Sequence, residues 1–230
     1  MDYRSIPRIS NSDLTEFKNV VFGYQAPKPV AAFAFGRALH ELILEPHQLH
    51  DLPADVDFSL LQMLATTARK DRFLSWALRF SRKESVQIWE DPATGLPLKS
   101  KLDVVHKNRL IVDIKSTSCK SFADFQKSCE RYDYDRQAAF YLDSIGAKKF
   151  VFVAVQKVMP HNVWVIEHHT QGQFAENGRK KYRALLREWK RRAELGSSFI
   201  PLAWTVEPEP VLSSPCLVSD NSATFALQVY

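Results

Sequence analysis

A change of hydrophobic period in the middle of the chain constrains its fold more than any other feature. From Ser85 onward three short runs are rich in β-branched and apolar residues: SVQIWE, LPLKSKLDVV and RLIVDIKS. The turn-like links DPATG and HKN separate them. Runs of this kind read as strands, and links this short join antiparallel neighbours, so the three form a meander. Two acids, Asp103 and Asp113, then fall on adjacent strands.

On either side the period is helical. A Ser/Asn/Ser/Asp cluster precedes Leu14 and Phe17 and marks a helix start, and Gln25–Pro29 breaks that helix. A second helix runs from about Ala31, with Phe35, Ala38, Leu39, Leu42 and Ile43 on one face, and Pro46 stops it. One helical, Leu-rich, basic segment is expected over Ser59–Ser81. Beyond the meander, Phe122, Phe125 and Cys129 suggest a helix, and another holds Gln137 through Leu142. The runs FVFVAV and VWVIEHH read as two more strands, the first wholly apolar and therefore buried. A long helix over Gln173–Leu195 puts Tyr182, Leu185, Leu186 and Trp189 on one face. The expected class is α/β (α+β), with a central mixed sheet that contains the antiparallel meander and is flanked by helices. Residues 1–196 form one domain, and 197–230, with four prolines after Phe199 and no clear period, form an extension of unassigned role.

Composition excludes several classes. Of the 230 residues 45% are hydrophobic and 25% charged, which rules out wholesale disorder. No apolar run approaches the roughly 20 residues of a membrane span. The opening MDYRSIPRIS lacks the apolar stretch of a secretory signal. Three scattered cysteines, Cys119, Cys129 and Cys216, argue against a disulfide scaffold and cannot complete a four-cysteine metal site. A soluble intracellular protein is expected. The net charge of +5 favours a nucleic-acid or phosphorylated partner, but weakly.

Candidate chemistry lies in four places. In Asp113-Ile114-Lys115 the alternation of a strand puts the acid and the amine on one face and Ile114 in the core. The same pair could be an ordinary surface ion pair. Asp103, ten residues upstream, would repel Asp113 unless a proton or cation sat between them. Oxygen ligands of this kind suit Mg²⁺ or Mn²⁺, although a turn-flanking acid often has no such role. Gly36 and His40 lie one turn apart on the second helix. The glycine costs roughly 1 kcal/mol against Ala, which implies a close neighbour such as a strand, a metal-bound carboxylate or DNA. His40 alone could be a satisfied, half-buried histidine. Tyr134, Gln137 and Tyr141 share a helix face, and a buried Gln there needs a partner, for which a phosphate oxygen or base edge would serve.

Order and spacing make these items specific. The series GRALHEL, EDPATGLPLKSKLD, IVDIKST and YDYDRQAAFYLD resembles the PD-(D/E)XK nuclease superfamily, and within it the RecE-type exonucleases (exodeoxyribonuclease VIII-like) of phage and prophage recombination. The likeness runs from ISNSDL to the helix near Trp189. It implies a restriction-endonuclease-like core. It also implies that His40, Asp103, Asp113 and the Ile114 carbonyl hold Mg²⁺, with Mn²⁺ an alternative, and that Lys115 is the catalytic lysine. Gln137 and Tyr141, with Tyr134 before them, match the family's Q-x-x-x-Y helix and would position the DNA strand. Glu90 is a weaker candidate for a supporting acid. Two residues depart from the pattern: Lys101 stands where Arg is common, and Gln156-Lys157 stand where an acid is often found.

The resemblance implies a metal-dependent exonuclease that hydrolyses linear duplex DNA 5′→3′, leaving 3′ single-stranded tails. It further implies DNA ends as partner, a single-strand annealing protein, a homo-oligomeric ring, no membrane association and a cytoplasmic setting in a bacterium or phage-infected host. The alternatives are an inactive DNA-binding or assembly module on the same fold, and a RecB-like nuclease of other polarity. The iron–sulfur relatives need four cysteines, so no iron–sulfur cluster is expected. Independently, Arg179–Leu195 carries eight positive residues against Glu188 and Glu194, so Lys181 and Arg187 are candidate phosphate contacts. Such a helix could equally be a solvated face.

Overall fold

The computed structural model describes residues 3–24, 30–46 and 56–205. The breaker expected at Gln25–Pro29, Cys216, and the extension beyond Thr205 lie outside the described residues.

Helix α1 (Asn11–Phe22) starts at the polar cluster. The Ser10 hydroxyl accepts the Asp13 amide at 3.2 Å, while the Asp13 carboxylate accepts the Ser10 amide at 2.8 Å, a reciprocal cap that satisfies two orphan donors. Helix α2 (Val30–Leu44) follows the expected apolar face. The single helix expected over Ser59–Ser81 is two, α3 (Phe58–Lys70) and α4 (Arg72–Phe80). Asp71 divides them: its backbone is extended, and its carboxylate accepts the Leu74 amide at 2.8 Å to start α4. Periodicity passes over such a break because apolar spacing resumes in phase one residue later.

Strands β1 (Arg82–Glu90), β2 (Pro97–His106) and β3 (Leu110–Thr117) form the expected meander. Helices α5 (Phe122–Arg131) and α6 (Tyr134–Ile145) then carry the chain to β4 (Lys149–Gln156), which pairs parallel to β3. A parallel neighbour requires such a crossover. Strand β5 (Val163–His169) closes a mixed sheet of order β1-β2-β3-β4-β5. Helix α7 (Gln173–Glu194) and the short α8 (Leu202–Thr205) complete the described chain.

The sheet is covered on both faces. Val104, Val112, Ile114, Val151, Val153 and Val155 pack against α2, α3 and α4. Leu102, Val105, Ile111, Phe150, Phe152 and Ala154 pack under α5 and α6. Burial on both sides explains the unbroken apolar run in β4. A third cluster, around Phe17, Phe140, Tyr182, Leu186 and Trp189, joins α1 and α7 to the outer side of α6. Phe199 and Trp204 pack on Trp189. Among the described residues no helix is long and apolar enough to cross a membrane.

Candidate active site

Strands β2 and β3 pair at Val104–Val112, Val105–Ile111 and His106–Leu110 only. Continued by one step, that register would set Asp103 opposite Asp113, and there the ladder stops. The carboxylate of Asp103 takes over the missing contact and accepts the Ile114 amide at 2.8 Å. A regular strand puts residues two apart on one face, yet Leu102 and Val104 belong to opposite cores. Strand β2 is thus irregular at its acid. The β1–β2 pairing runs Lys83–Val104 and Ser85–Leu102, which leaves Glu84 facing Asp103. Glu84 has φ of 49°, a left-handed conformation uncommon outside glycine, so both strands depart from regularity at one point. Backbone of this kind concentrates at functional sites.

His40 reaches this point from α2. Its Nε2 lies 2.7 Å from Asp103 Oδ2, and its Nδ1 lies 3.6 Å from a Glu84 oxygen. Gly36, one turn earlier, faces β3: a Cβ there would sit 3.4 Å from the Ser116 hydroxyl, so a strand is the close neighbour that the glycine implied. Lys101 is ion-paired with Glu84. On the α6 side Gln137 donates to Asp113 Oδ1 at 3.0 Å and also engages the Tyr141 phenol. The partner of that glutamine is therefore a strand carboxylate. The Lys115 ammonium lies 2.7 Å from Asp113 Oδ2 and 5.0 Å from the centre of the Tyr134 ring. That ammonium is the ionic partner of the buried Asp113 Oδ2.

Charge at the site is concentrated and screened from water. Burial pushes the His40 imidazole down, but Asp103 and then Glu84 more than reverse this and raise it to about 9. Burial pushes the Asp103 carboxyl up, and His40, Lys115 and the Ile114 amide more than compensate, leaving it below the usual carboxylate range. Asp113 goes the other way. Burial, reinforced by the negative charge of Asp103, lifts it to about 6 in spite of Lys115. Two acids so close cannot both ionise without positive charge nearby, and here the His40 proton and the Lys115 ammonium supply it.

The donor set suits a divalent cation. Ligand atoms of His40, Glu84 and Asp103 all lie within 4.8 Å of one another. Imidazole and carboxylate are ligands for Mg²⁺, Mn²⁺ and related ions, and the buried Asp113 carboxylate, close enough to Asp103 to feel its charge, is a further oxygen donor. Glu84 is the residue that sequence reasoning missed. It precedes the run taken for a strand by one residue, so it was never set against Asp103. Glu90, the acid considered instead, is exposed at the other end of β1 and faces Pro97.

His40, Glu84, Lys101 and Asp103 line one cleft of about 570 Å³, with Tyr3 and Arg4 from the segment leading into α1, Ser12 from α1 itself, and Arg37 from α2. Lys181 lies elsewhere, on α7, bridging Asp133 at 3.0 Å and Asp135 at 2.9 Å, while Arg187 is exposed. Gln156, in place of the acid common in relatives, ties backbone together: it donates to the Cys119 carbonyl at 3.1 Å and accepts the Asn162 amide at 3.1 Å.

Among solved structures the chain resembles a protein of Eubacterium rectale, provisionally named an exonuclease, with a TM-score of 0.58 at 14% identity over 96% of this chain and 91% of that one. That likeness is one of fold. A phage-related exonuclease of Haemophilus somnus gives 0.42 at 13% identity, over 83% and 96% of the two chains. The alkaline exonuclease of Laribacter hongkongensis gives 0.43 at 12%, over 83% and 92%. No curated protein matches the chain. The family model of the PDDEXK-like domain of unknown function (DUF3799) matches residues 51–195, the span that holds Asp103, Asp113, Lys115 and Gln137. The chain belongs to this PDDEXK-like family, within the PD-(D/E)XK superfamily.

Proposed function

We propose that the protein is a divalent-metal-dependent exonuclease of the RecE type that hydrolyses linear duplex DNA 5′→3′. One observation carries the reading: where β2 and β3 part, the buried Asp113, the half-buried Asp103, a histidine and a half-buried lysine converge beside an open cleft. A structural ion pair needs neither the parted strands nor a second carboxylate.

His40, Asp103, Asp113 and the Ile114 carbonyl are the proposed metal ligands, with Glu84 beside them. A divalent cation held there would supply Lewis acidity to the scissile phosphodiester and lower the pKa of a nearby water. Lys115, kept protonated by Asp113, stabilises negative charge on the phosphoryl oxygens as it builds. Its place over the Tyr134 ring restrains it against swinging into the core. Gln137 fixes the orientation of Asp113, and Tyr141 fixes Gln137, so this helix face holds the acid as well as facing the strand. Lys101 contributes positive charge at the cleft. The proposed setting is the cytoplasm, with DNA ends as substrate, a single-strand annealing protein as partner and a ring of copies around DNA.

The test compares linear and circular duplex DNA, with Mg²⁺, Mn²⁺ or chelator, for the wild type, Asp113→Ala and Lys115→Ala. Metal-dependent loss of linear DNA alone, abolished in both variants, is expected. DNA left equally intact by all three proteins with either metal refutes the reading and leaves a binding module. End-labelled substrates then report polarity.

A further inference from the structure

Lys99 is 1% exposed, a rare position for an ammonium group. Its Nζ donates to the carbonyls of Tyr3 at 3.0 Å, Arg4 at 2.8 Å and Ile6 at 2.7 Å. An ammonium carries three protons, and these three bonds go to the backbone of one short segment. The Tyr3 ring lies 5.0 Å from the same nitrogen, and the charge of Lys99 also reaches the buried Asp13. The segment is tied a second time at Ile9, whose amide donates to Pro97 at 3.0 Å and whose carbonyl accepts from Lys99 N at 2.9 Å. Residues 3–9 are thus strapped along β2, and their outer part, Tyr3 and Arg4, lines the cleft together with His40, Lys101 and Asp103.

Apolar packing could hold such a segment without the cost of burying a charge. An ammonium bonded to three carbonyls does something packing does not: it fixes the position of the backbone itself. Two residues further along β2, Lys101 faces the cleft, so the strap is referenced to the strand that carries Asp103. We propose that Lys99 is a positioning residue that holds Tyr3–Ile6 as a wall of the cleft, where Arg4 and, from α2, Arg37 meet the phosphates of the bound strand. This rests on the nuclease reading above and adds the elements that grip the substrate beside the reacting phosphate.

The experiment uses the full chain, with Lys99→Met, Arg4→Ala and the double variant. Three readouts are taken: KM and kcat on linear duplex DNA with Mg²⁺, DNA binding by fluorescence anisotropy with Ca²⁺ in place of Mg²⁺, and Mn²⁺ affinity by calorimetry. Limited trypsin digestion after Arg4 and Arg8 reports whether the strap has detached. Lys99→Met is expected to expose both sites and to raise KM and the anisotropy Kd about tenfold, the range for losing a charge-assisted phosphate contact. The kcat and the Mn²⁺ affinity should stay within about twofold, since the ligands are untouched. Arg4→Ala should raise KM without opening the remaining trypsin site after Arg8, and the double variant should be no worse than Lys99→Met, because both act through one contact. A detached strap with unchanged KM and Kd overturns the proposal. Should Lys99→Met not fold, Arg4→Ala with unchanged KM and Kd overturns it too. A wild type that binds DNA without cleaving it refutes the nuclease reading instead, and the anisotropy arm still decides the role of the strap.

Discussion

Gly178 is where α6 and α7 come closest, and replacing it with Ala tests how the site is held. A Cβ at Gly178 would lie 1.9 Å from the Asp135 carbonyl oxygen, 2.4 Å from its carbon and 2.8 Å from Ala139 Cβ. An ordinary close carbon–oxygen contact is about 3.3 Å, so the helices must part by roughly 1.4 Å. Neither obstacle at Asp135 is a side chain that can turn away. Overpacking of this kind costs about 3 kcal/mol at the upper end of its usual range. The better helix propensity of Ala returns about 1 kcal/mol, for a net loss of about 2 kcal/mol. For a chain of this size that lowers Tm by about 4–8 °C. Asp135 lies two residues before Gln137, whose bond to Asp113 is 3.0 Å long, so displacement of α6 also loosens the proposed metal-binding carboxylate. Urea denaturation of Gly178→Ala should show a lower midpoint at unchanged m-value, beside Lys180→Ala as an exposed control on the same helix. Nuclease activity of Gly178→Ala should fall at temperatures where it is still folded. A midpoint equal to or above that of the wild type would refute the argument from the close approach.

Four further outcomes are expected. Glu84→Ala should weaken Mn²⁺ binding about 10- to 100-fold by calorimetry, whether the carboxylate binds the ion or orients His40, whereas Glu90→Ala should leave it unchanged. Arg187→Glu should weaken DNA binding and reduce its salt slope by about one, as expected for one lost phosphate contact. Lys181→Ala is a different perturbation: it removes the bridge between Asp133 and Asp135 and should lower the unfolding free energy read from urea denaturation by at most about 1 kcal/mol. Asp133 also predicts a pH dependence. Burial pushes its carboxyl up, but Lys18 at 2.5 Å and Lys181 more than offset this, so its pKa falls below the ordinary value of 3.8. A carboxyl depressed in the folded state contributes stability that is complete above 3.8 and is lost as pH falls through the folded value. Lys18→Met should therefore lower stability at neutral pH and flatten the acid limb below pH 4, measured by urea midpoints across that range.

Much of this was legible before any coordinates. The strand runs, the turn links and the helix faces are local patterns, and local patterns carry over when each element buries one stripe or both faces. Asp103, Asp113 and Lys115 could be placed on neighbouring strands because register follows from turn length. The division of Ser59–Ser81 at Asp71 was not legible, because one extended residue between two helices leaves the apolar spacing nearly in phase. The tie between Gln137 and Asp113 was not legible either, since it crosses from helix to strand through packing. For the same reason the partners of the basic charges on α7 were not legible: Arg179, Lys181 and Lys190 meet Asp143, Asp133 and Asp135, and the Thr94 carbonyl, while Arg187 stays exposed.

The chain by itself determined that a meander would carry two acids and a lysine on neighbouring strands, because short turns join those strands and bring the residues to one level. Only the tertiary structure decided which groups complete the site. Glu84 reaches it through a left-handed backbone where β1 and β2 both lose regularity, and His40 reaches it because α2 packs on the sheet face that Val112 and Ile114 of β3 help to form. The wall of the cleft depends on a buried ammonium bonded to carbonyls more than ninety residues away in the chain. Contacts of that kind leave no period in a sequence, since the backbone carbonyl that accepts the bond is the same in every residue.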